Sequence, residues 1–390
     1  MKSSDFLNSK TYSVILISAV YLLLSVYLFS KYGIKIVNDS PRYIHYASDL
    51  VNGFYFDPLN FWYFTYVVFI CIHQLFFETL LPIIISQYIL GYLAVLSLYA
   101  TVDILTKNRI IATLACLLFT LFPDNIFWHS YILTESLYSS LLCFAFFAAV
   151  NYMKLKSHLN LAFLLLTVVL CFFCRPTSPA LVFALIMPFL IKFLANPSYR
   201  ILKITSLVII AVGVLSLANK MISMHRVMVI YEQGDIIFAM HELPDSPYYD
   251  FLSVAPSRNM HIPENENALL LNMLEFIIHN PIYWLKLFFG KLVIYLSHLR
   301  PYWSWNHIFS VLLVIWPSYY FSLLAVKRKL IPQPLFVPFL TYFLIHLLIV
   351  CTTWADWDAR FFVPLFPILA TLAAAGLYHF YQRKLKPFIA

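Results

Sequence analysis

Asp39 and Arg42 stand three residues apart where the first long apolar run of this chain gives way to a polar stretch, NDSPRYIHYASDLVNGFYFDPLNFW, from Asn38 to Trp62. His45, Asp49 and Asp57 lie in the same stretch. A carboxylate held at a fixed place beside a membrane can take a proton from a hydroxyl, which is general-base chemistry. A solvated connector also carries polar groups at a membrane face. The spacing asks for more than a connector. Tyr43, Ile44, Tyr46, Ala47 and Leu50 recur at three and four residues, which predicts a short helix lying in the interface. Asp39 falls just before that helix, and either Asp39 or Ser40 is placed to cap it.

The elements that must position these residues are membrane helices. The chain has 390 residues, of which 62% are hydrophobic and only 11% charged, far from the soluble average for charge. A span needs about 20 apolar residues, so the apolar runs predict an all-α polytopic membrane protein with roughly ten to twelve spans. It reads as a single integral membrane domain over 1–390, with a first outer loop at 34–60 and a long outer loop at 224–283. No small-residue cleavage site follows the first run, so that run reads as a retained helix. The formal charge of +8 is patterned. Lys107 with Arg109, Lys154 with Lys156, Arg200 with Lys203, and Lys327 to Lys329 mark cytoplasmic connections. The basic excess therefore reads as topology rather than as nucleic-acid binding, and it places the remaining polar loops together on the outer face.

Three more polar groups fall on that face. Arg175, in Cys174-Arg175-Pro176-Thr177, sits between two apolar runs, where a charge at mid-bilayer would cost about 3 kcal/mol. It reads as a snorkelling anchor or as a phosphate contact, since a guanidinium grips phosphate oxygens in pairs. Glu135, one residue into a helix that Thr134 can cap, complements the helix dipole and leaves a minor site role open. Arg360 follows the aromatic and acidic run Trp354-Ala355-Asp356-Trp357-Asp358 and is either a local ion-pair partner or a second phosphate contact. The stretch from His225 to Asn280 holds His225, Arg226, His241, His261, Glu264 and Glu266 without zinc-like spacing such as H-E-x-x-H. Lys291, His298, Arg300, Tyr302 and Trp303 are placed to rim a cavity. Cys171 and Cys174, inside an apolar run with no second pair, read as small buried hydrophobes.

The order of these features resembles the GT-C glycosyltransferases, in particular the protein O-mannosyltransferase and lipid A aminoarabinose transferase families. The matching order is an apolar helix, Asp39 with a Tyr-containing interfacial helix, Gly53, and then Tyr55-Phe56-Asp57-Pro58 at the next membrane entry. The resemblance implies a GT-C-like bundle and an inverting glycosyltransferase that draws its sugar from a polyprenyl-phosphate carrier. It puts the catalytic carboxylate on Asp39 and the second acid on Asp57. Arg42, Tyr43 and Glu135 would then position donor or acceptor, and Arg175 and Arg360 would meet the donor phosphate. The chain departs from many relatives in having Ser40 where they have Glu, and Pro58 where they have a phosphate-binding Lys. The implied partners are a polyprenyl-phosphate-linked sugar, membrane lipids, and an acceptor lipid, glycan or protein of surface-glycan assembly. No metal is expected, since Asp39 and Asp57 form no clear acidic cluster, although some GT-C enzymes bind a divalent ion with such acids. A transporter or flippase, or a polysaccharide polymerase, is the competing class. An inverted repeat and charges at the midplane, the marks of a transporter, are not evident. Lys, Ile and Asn usage points to a bacterial inner membrane, with the polar face outward.

Overall fold

The computed structural model describes residues 9–196, 200–224, 227–263 and 269–385, and among them the secondary structure is helical with isolated bridges but no strand. His225, Arg226, Glu264 and Glu266 lie outside the described residues. Among the described residues six helices are long and apolar enough to cross a membrane: Lys10–Tyr32, Leu81–Thr106, Thr134–Leu155, Ile201–Lys220, Trp305–Lys327 and Val363–Arg383. The chain is thus a polytopic helical membrane protein. A seventh span arises if Arg109–Leu121 and Pro123–Ser130, bent by 68°, are counted together. The bend has a local cause. Phe122 precedes Pro123 and is held extended at φ −77°, ψ 108°, because the proline ring clashes with a helical residue before it. Several other apolar runs form shorter helices, His158–Phe172, Pro179–Ala195, Leu269–His279 and Phe336–Thr352, so fewer helices reach full spanning length than the apolar runs alone suggest.

Two of the basic connections share one construction. After Leu81–Thr106 the chain turns at Lys107 (φ 51°), and Asn108 then caps the next helix by accepting from the Ile110 and Ile111 amides at 3.0 and 3.2 Å. After Thr134–Leu155 the turn is at Lys156 (φ 53°), and Ser157 caps by accepting from Asn160. A left-handed residue followed at once by a side-chain cap closes two helix ends within two residues.

The chain divides into two compact units, the first comprising Met1–Leu185, Trp305–Leu340 and Val363–Ala390, the second Ile186–Ser304 and Thr341–Phe362. In the first, Thr134–Leu155 is central, with 72% of its apolar window buried, against 28% for the peripheral Lys10–Tyr32. Close helix approach rests on small residues. Ala112, Ala115, Ala145, Ala370 and Ala374 are fully buried. At Gly376 an added Cβ would fall 1.9 Å from the Phe321 carbonyl oxygen, so the last helix and Trp305–Lys327 touch backbone to backbone there.

The second unit has its own apolar core, in which Val227, Tyr231, Ile237, Phe276, Leu287, Ile294 and Ala355 are buried. The stretch expected as a long loop is thereby a packed element. It contains the helices Val227–Gln233 and Leu269–His279, and the Tyr231 hydroxyl donates to the Thr352 carbonyl at 2.7 Å. Nor do Lys291 and Arg300 rim a cavity. Lys291, fully buried, donates to the Thr353 carbonyl at 2.6 Å. Arg300, 1% exposed, donates to the Asp356 carbonyl at 2.8 and 3.2 Å and to the Ile294 carbonyl at 2.7 Å. Both cations satisfy carbonyls that helix ends and turns leave over.

Candidate functional site

The polar stretch after the first helix is built from its backbone outward. Gly33, at φ 59°, ends the helix and donates its amide to the Phe29 carbonyl at 2.8 Å. The chain then runs extended, and Lys35 exchanges backbone hydrogen bonds with the turn before Glu135: its amide donates to Ser130 at 2.8 Å and its carbonyl accepts from Ile132 at 3.0 Å. This bridge fixes where the next turn begins. Ser40 closes that turn, its hydroxyl accepting from the Val37 amide at 3.0 Å. The helix follows as Ser40–Asn52 with Pro41 in its first turn. It starts earlier than the aromatic spacing predicts, because proline is well suited to a helix start.

Asp39 occupies the cap position, yet its carboxylate makes no capping bond. It lies instead 3.8 Å from the Arg42 guanidinium, with 39% of its side chain exposed. The Arg42 side chain is held on several sides. Its guanidinium lies 4.6 Å from the ring centre of Tyr43 and 4.7 Å from that of Tyr63, donates to Asn60 Oδ1 at 3.2 Å and donates to the Tyr43 hydroxyl at 3.1 Å. Asp57 orients Asn60 in turn. Its Oδ1 accepts from the amides of Leu59 and Asn60 at 2.8 and 3.2 Å, and its Oδ2 accepts from Asn60 Nδ2 at 2.7 Å. Asp57 is therefore linked to Asp39 through Asn60 and Arg42.

Tyr43 joins this cluster to the next. It is buried against Tyr63 and Tyr66, with ring centres at 5.3 and 5.4 Å. Burial pushes its phenol well above the ordinary tyrosine range, Tyr63 adds to the rise, Arg42 opposes it, and the charges of Asp39 and Glu135 both add to it. A phenol that feels both carboxylates places Glu135 within electrostatic reach of the Asp39 loop, and it stays protonated. Glu135 itself is 2% exposed and pairs at 3.2 Å with Arg175, which is 4% exposed. The Arg175 guanidinium also faces the Tyr138 ring at 5.8 Å. The corner that carries Arg175 is stitched by Ser178, whose hydroxyl donates to the Cys171 carbonyl at 2.6 Å and also to that of Arg175.

Sequence reasoning missed a second layer. Gln87, fully buried in an apolar helix, accepts from the Tyr66 hydroxyl at 3.0 Å and donates to the carbonyls of His129 and Tyr131 at 2.9 and 2.8 Å. A single amide inside an apolar run was the available signal, since such groups are buried only with partners. Asn60 carried another, standing three residues after Asp57 in a turn-forming sequence.

The structure thus gathers Asp39, Arg42, Tyr43 and Asp57 into one cluster, with the Glu135–Arg175 pair in electrostatic reach of Tyr43. Arg360 belongs to the second unit. There the Asp356 carboxylate accepts from the backbone amides of Arg360 and Phe361, and the Arg360 guanidinium lies 5.8 Å from the Phe361 ring centre. Asp49 accepts from the Tyr55 hydroxyl at 3.0 Å on the exposed side of the loop helix.

Replacing Asp57 by Ala should remove three hydrogen bonds from this turn and lower stability by about 1 kcal/mol. Asp57→Asn should retain most of that stability, because Asn still offers one oxygen to the two amides. Thermal unfolding of the two variants in detergent checks this, and equal loss in both would mean that the turn is held by something other than the Asp57 carboxylate. No family model and no curated protein matches this chain.

Proposed function

We propose that this chain is an inverting glycosyltransferase that takes a sugar from a polyprenyl-phosphate carrier and passes it to an acceptor hydroxyl on the outer face of a bacterial inner membrane. In this reading the acceptor oxygen attacks the anomeric carbon from the side opposite the phosphate. The bond from that carbon to the phosphate oxygen breaks, the hydroxyl proton goes to the Asp39 carboxylate, and the polyprenyl phosphate leaves. Arg42, packed against two tyrosine rings, lies beside the Asp39 carboxylate. Arg175, its charge held by Glu135, stabilises the charge that grows on the leaving phosphate. Apolar helices suit a carrier whose tail stays in lipid while its phosphate remains at the interface.

The observation that carries the reading is the state of Asp39. This carboxylate is partly open and sits 3.8 Å from a guanidinium that Asn60 and two tyrosine rings hold in place. Its partial exposure leaves it within reach of an acceptor hydroxyl. Transfer of labelled sugar from a synthetic polyprenyl-phosphate donor, followed in nanodiscs containing the purified protein and a membrane extract as acceptor source, should release free polyprenyl phosphate. Movement of the intact donor across a vesicle bilayer without cleavage would instead establish a flippase.

A further inference from the structure

The second unit brings together three side chains that lie apart in sequence. His261 Nε2 is 2.8 Å from Glu275 Oε1, the rings of His261 and His279 lie with centres 4.4 Å apart, and one ligand atom from each of the three residues falls within 4.8 Å of the others. From this geometry we infer a binding site for a divalent transition metal of the zinc class, formed by His261, Glu275 and His279.

The site is organised from outside the ligand set. Glu275 and His279 are four residues apart on Leu269–His279, which puts them one turn apart on one face. The His279 Nδ1 is 2.9 Å from the Glu275 carbonyl. A carbonyl only accepts, so the proton sits on Nδ1 and the lone pair on Nε2, the arrangement that a metal-binding imidazole needs. His261 comes from the preceding irregular segment and is clamped by Asn280, whose Oδ1 accepts from the His261 amide at 3.2 Å and whose Nδ2 donates to the His261 carbonyl at 2.8 Å. Ligand atoms around a tetrahedral ion with bonds of about 2.1 Å lie about 3.4 Å apart, so the 2.8 Å separation of His261 and Glu275 has to open only slightly.

Two imidazoles and one carboxylate select Zn²⁺ and its neighbours over Mg²⁺ or Ca²⁺, which favour all-oxygen sets. Three protein ligands leave coordination positions for water. His261 and Glu275 are 47% and 48% exposed, so an ion can enter without opening the fold. The ion would staple the segment holding His261 to Leu269–His279. This inference stands independently of the transfer reaction.

The test uses the full-length protein in detergent, stripped with chelator and titrated with Zn²⁺, with Mg²⁺ in parallel. The expected result is one Zn²⁺ per chain that is lost in His261→Ala, Glu275→Gln and His279→Ala, each weakening affinity by more than about tenfold, since even a residue that only supports a ligand is worth that much. Zn²⁺ affinity unchanged in all three variants, or a response to Mg²⁺ equal to that to Zn²⁺, would overturn the site. A second measurement does not depend on stoichiometry. Arg258 is exposed three residues before His261, and stapling should slow tryptic cleavage after it in wild type but not in His261→Ala. Equal cleavage of wild type with and without bound Zn²⁺ would remove the staple.

Discussion

Asp39→Asn should lower turnover by about 10²- to 10⁴-fold, the usual worth of a positioned base, while leaving donor affinity near that of wild type. The substitution keeps size and shape and removes only the ability to take a proton. Its structural cost is small for two reasons. The carboxylate makes no capping bond that Asn could lose, and its 3.8 Å contact with Arg42 is partly exposed, where such a pair is worth at most about 1 kcal/mol. A fall in kcat without a matching rise in donor Kd is the signature of an interaction made in the transition state. Near-normal turnover at normal protein level would take Asp39 out of the mechanism, and the transferase proposal would go with it.

Glu135→Gln should have the largest effect on stability. The Glu135–Arg175 pair is buried to 2% and 4% exposure, and removing one charge of a buried pair costs about 3–5 kcal/mol because the other stays in a poorly solvating interior. Replacing both residues by Met should recover most of that loss, since apolar groups of similar volume can substitute for a buried pair as a whole. Thermal unfolding of the single and double variants in one detergent measures the coupling. Equal stability of wild type and Glu135→Gln would show that the Arg175 charge is compensated from elsewhere. The two predictions separate the roles, because Asp39→Asn should spare the melt and Glu135→Gln should not.

What could be read from the sequence was local. The loop helix was visible because Tyr43, Ile44, Tyr46, Ala47 and Leu50 recur at three and four residues, and of its buried positions Ser40, Tyr43, Tyr46 and Ala47 the last three are among those. The Glu135–Arg175 pair was not, because each residue has a sufficient local reading, one as a dipole partner and the other as an anchor. Only the packing of Thr134–Leu155 against the chain that follows His158–Phe172 unites them. The metal ligands were hidden for a related reason. His261 has no zinc-like spacing to the other polar residues of its own stretch, whereas its partners are a Glu and a His spaced four apart on the following helix. The core of the second unit was masked by polarity, since Asp235, His241 and Glu242 make 224–283 look like a solvated loop. In the fold Asp235 is fully buried and accepts from the His241 amide at 2.8 Å and ring at 2.7 Å.

Gln87 settles a question of angle for its helix. Leu81–Thr106 is apolar over most of its surface, so hydrophobicity alone would accept it at many rotations about its own axis. Hydrocarbon gives such a rod no azimuth. One amide with three fixed partners does, because turning the helix by a single residue swings Gln87 away from Tyr66, His129 and Tyr131 at once and strands polar groups that have no water to turn to. The same residue ties the helix to the turn that leads to Glu135, and the hydroxyls of Ser86 on His73 and of Tyr88 on Ser130 hold the same rotation, so the azimuth of this span and the turn before the buried ion pair are fixed together.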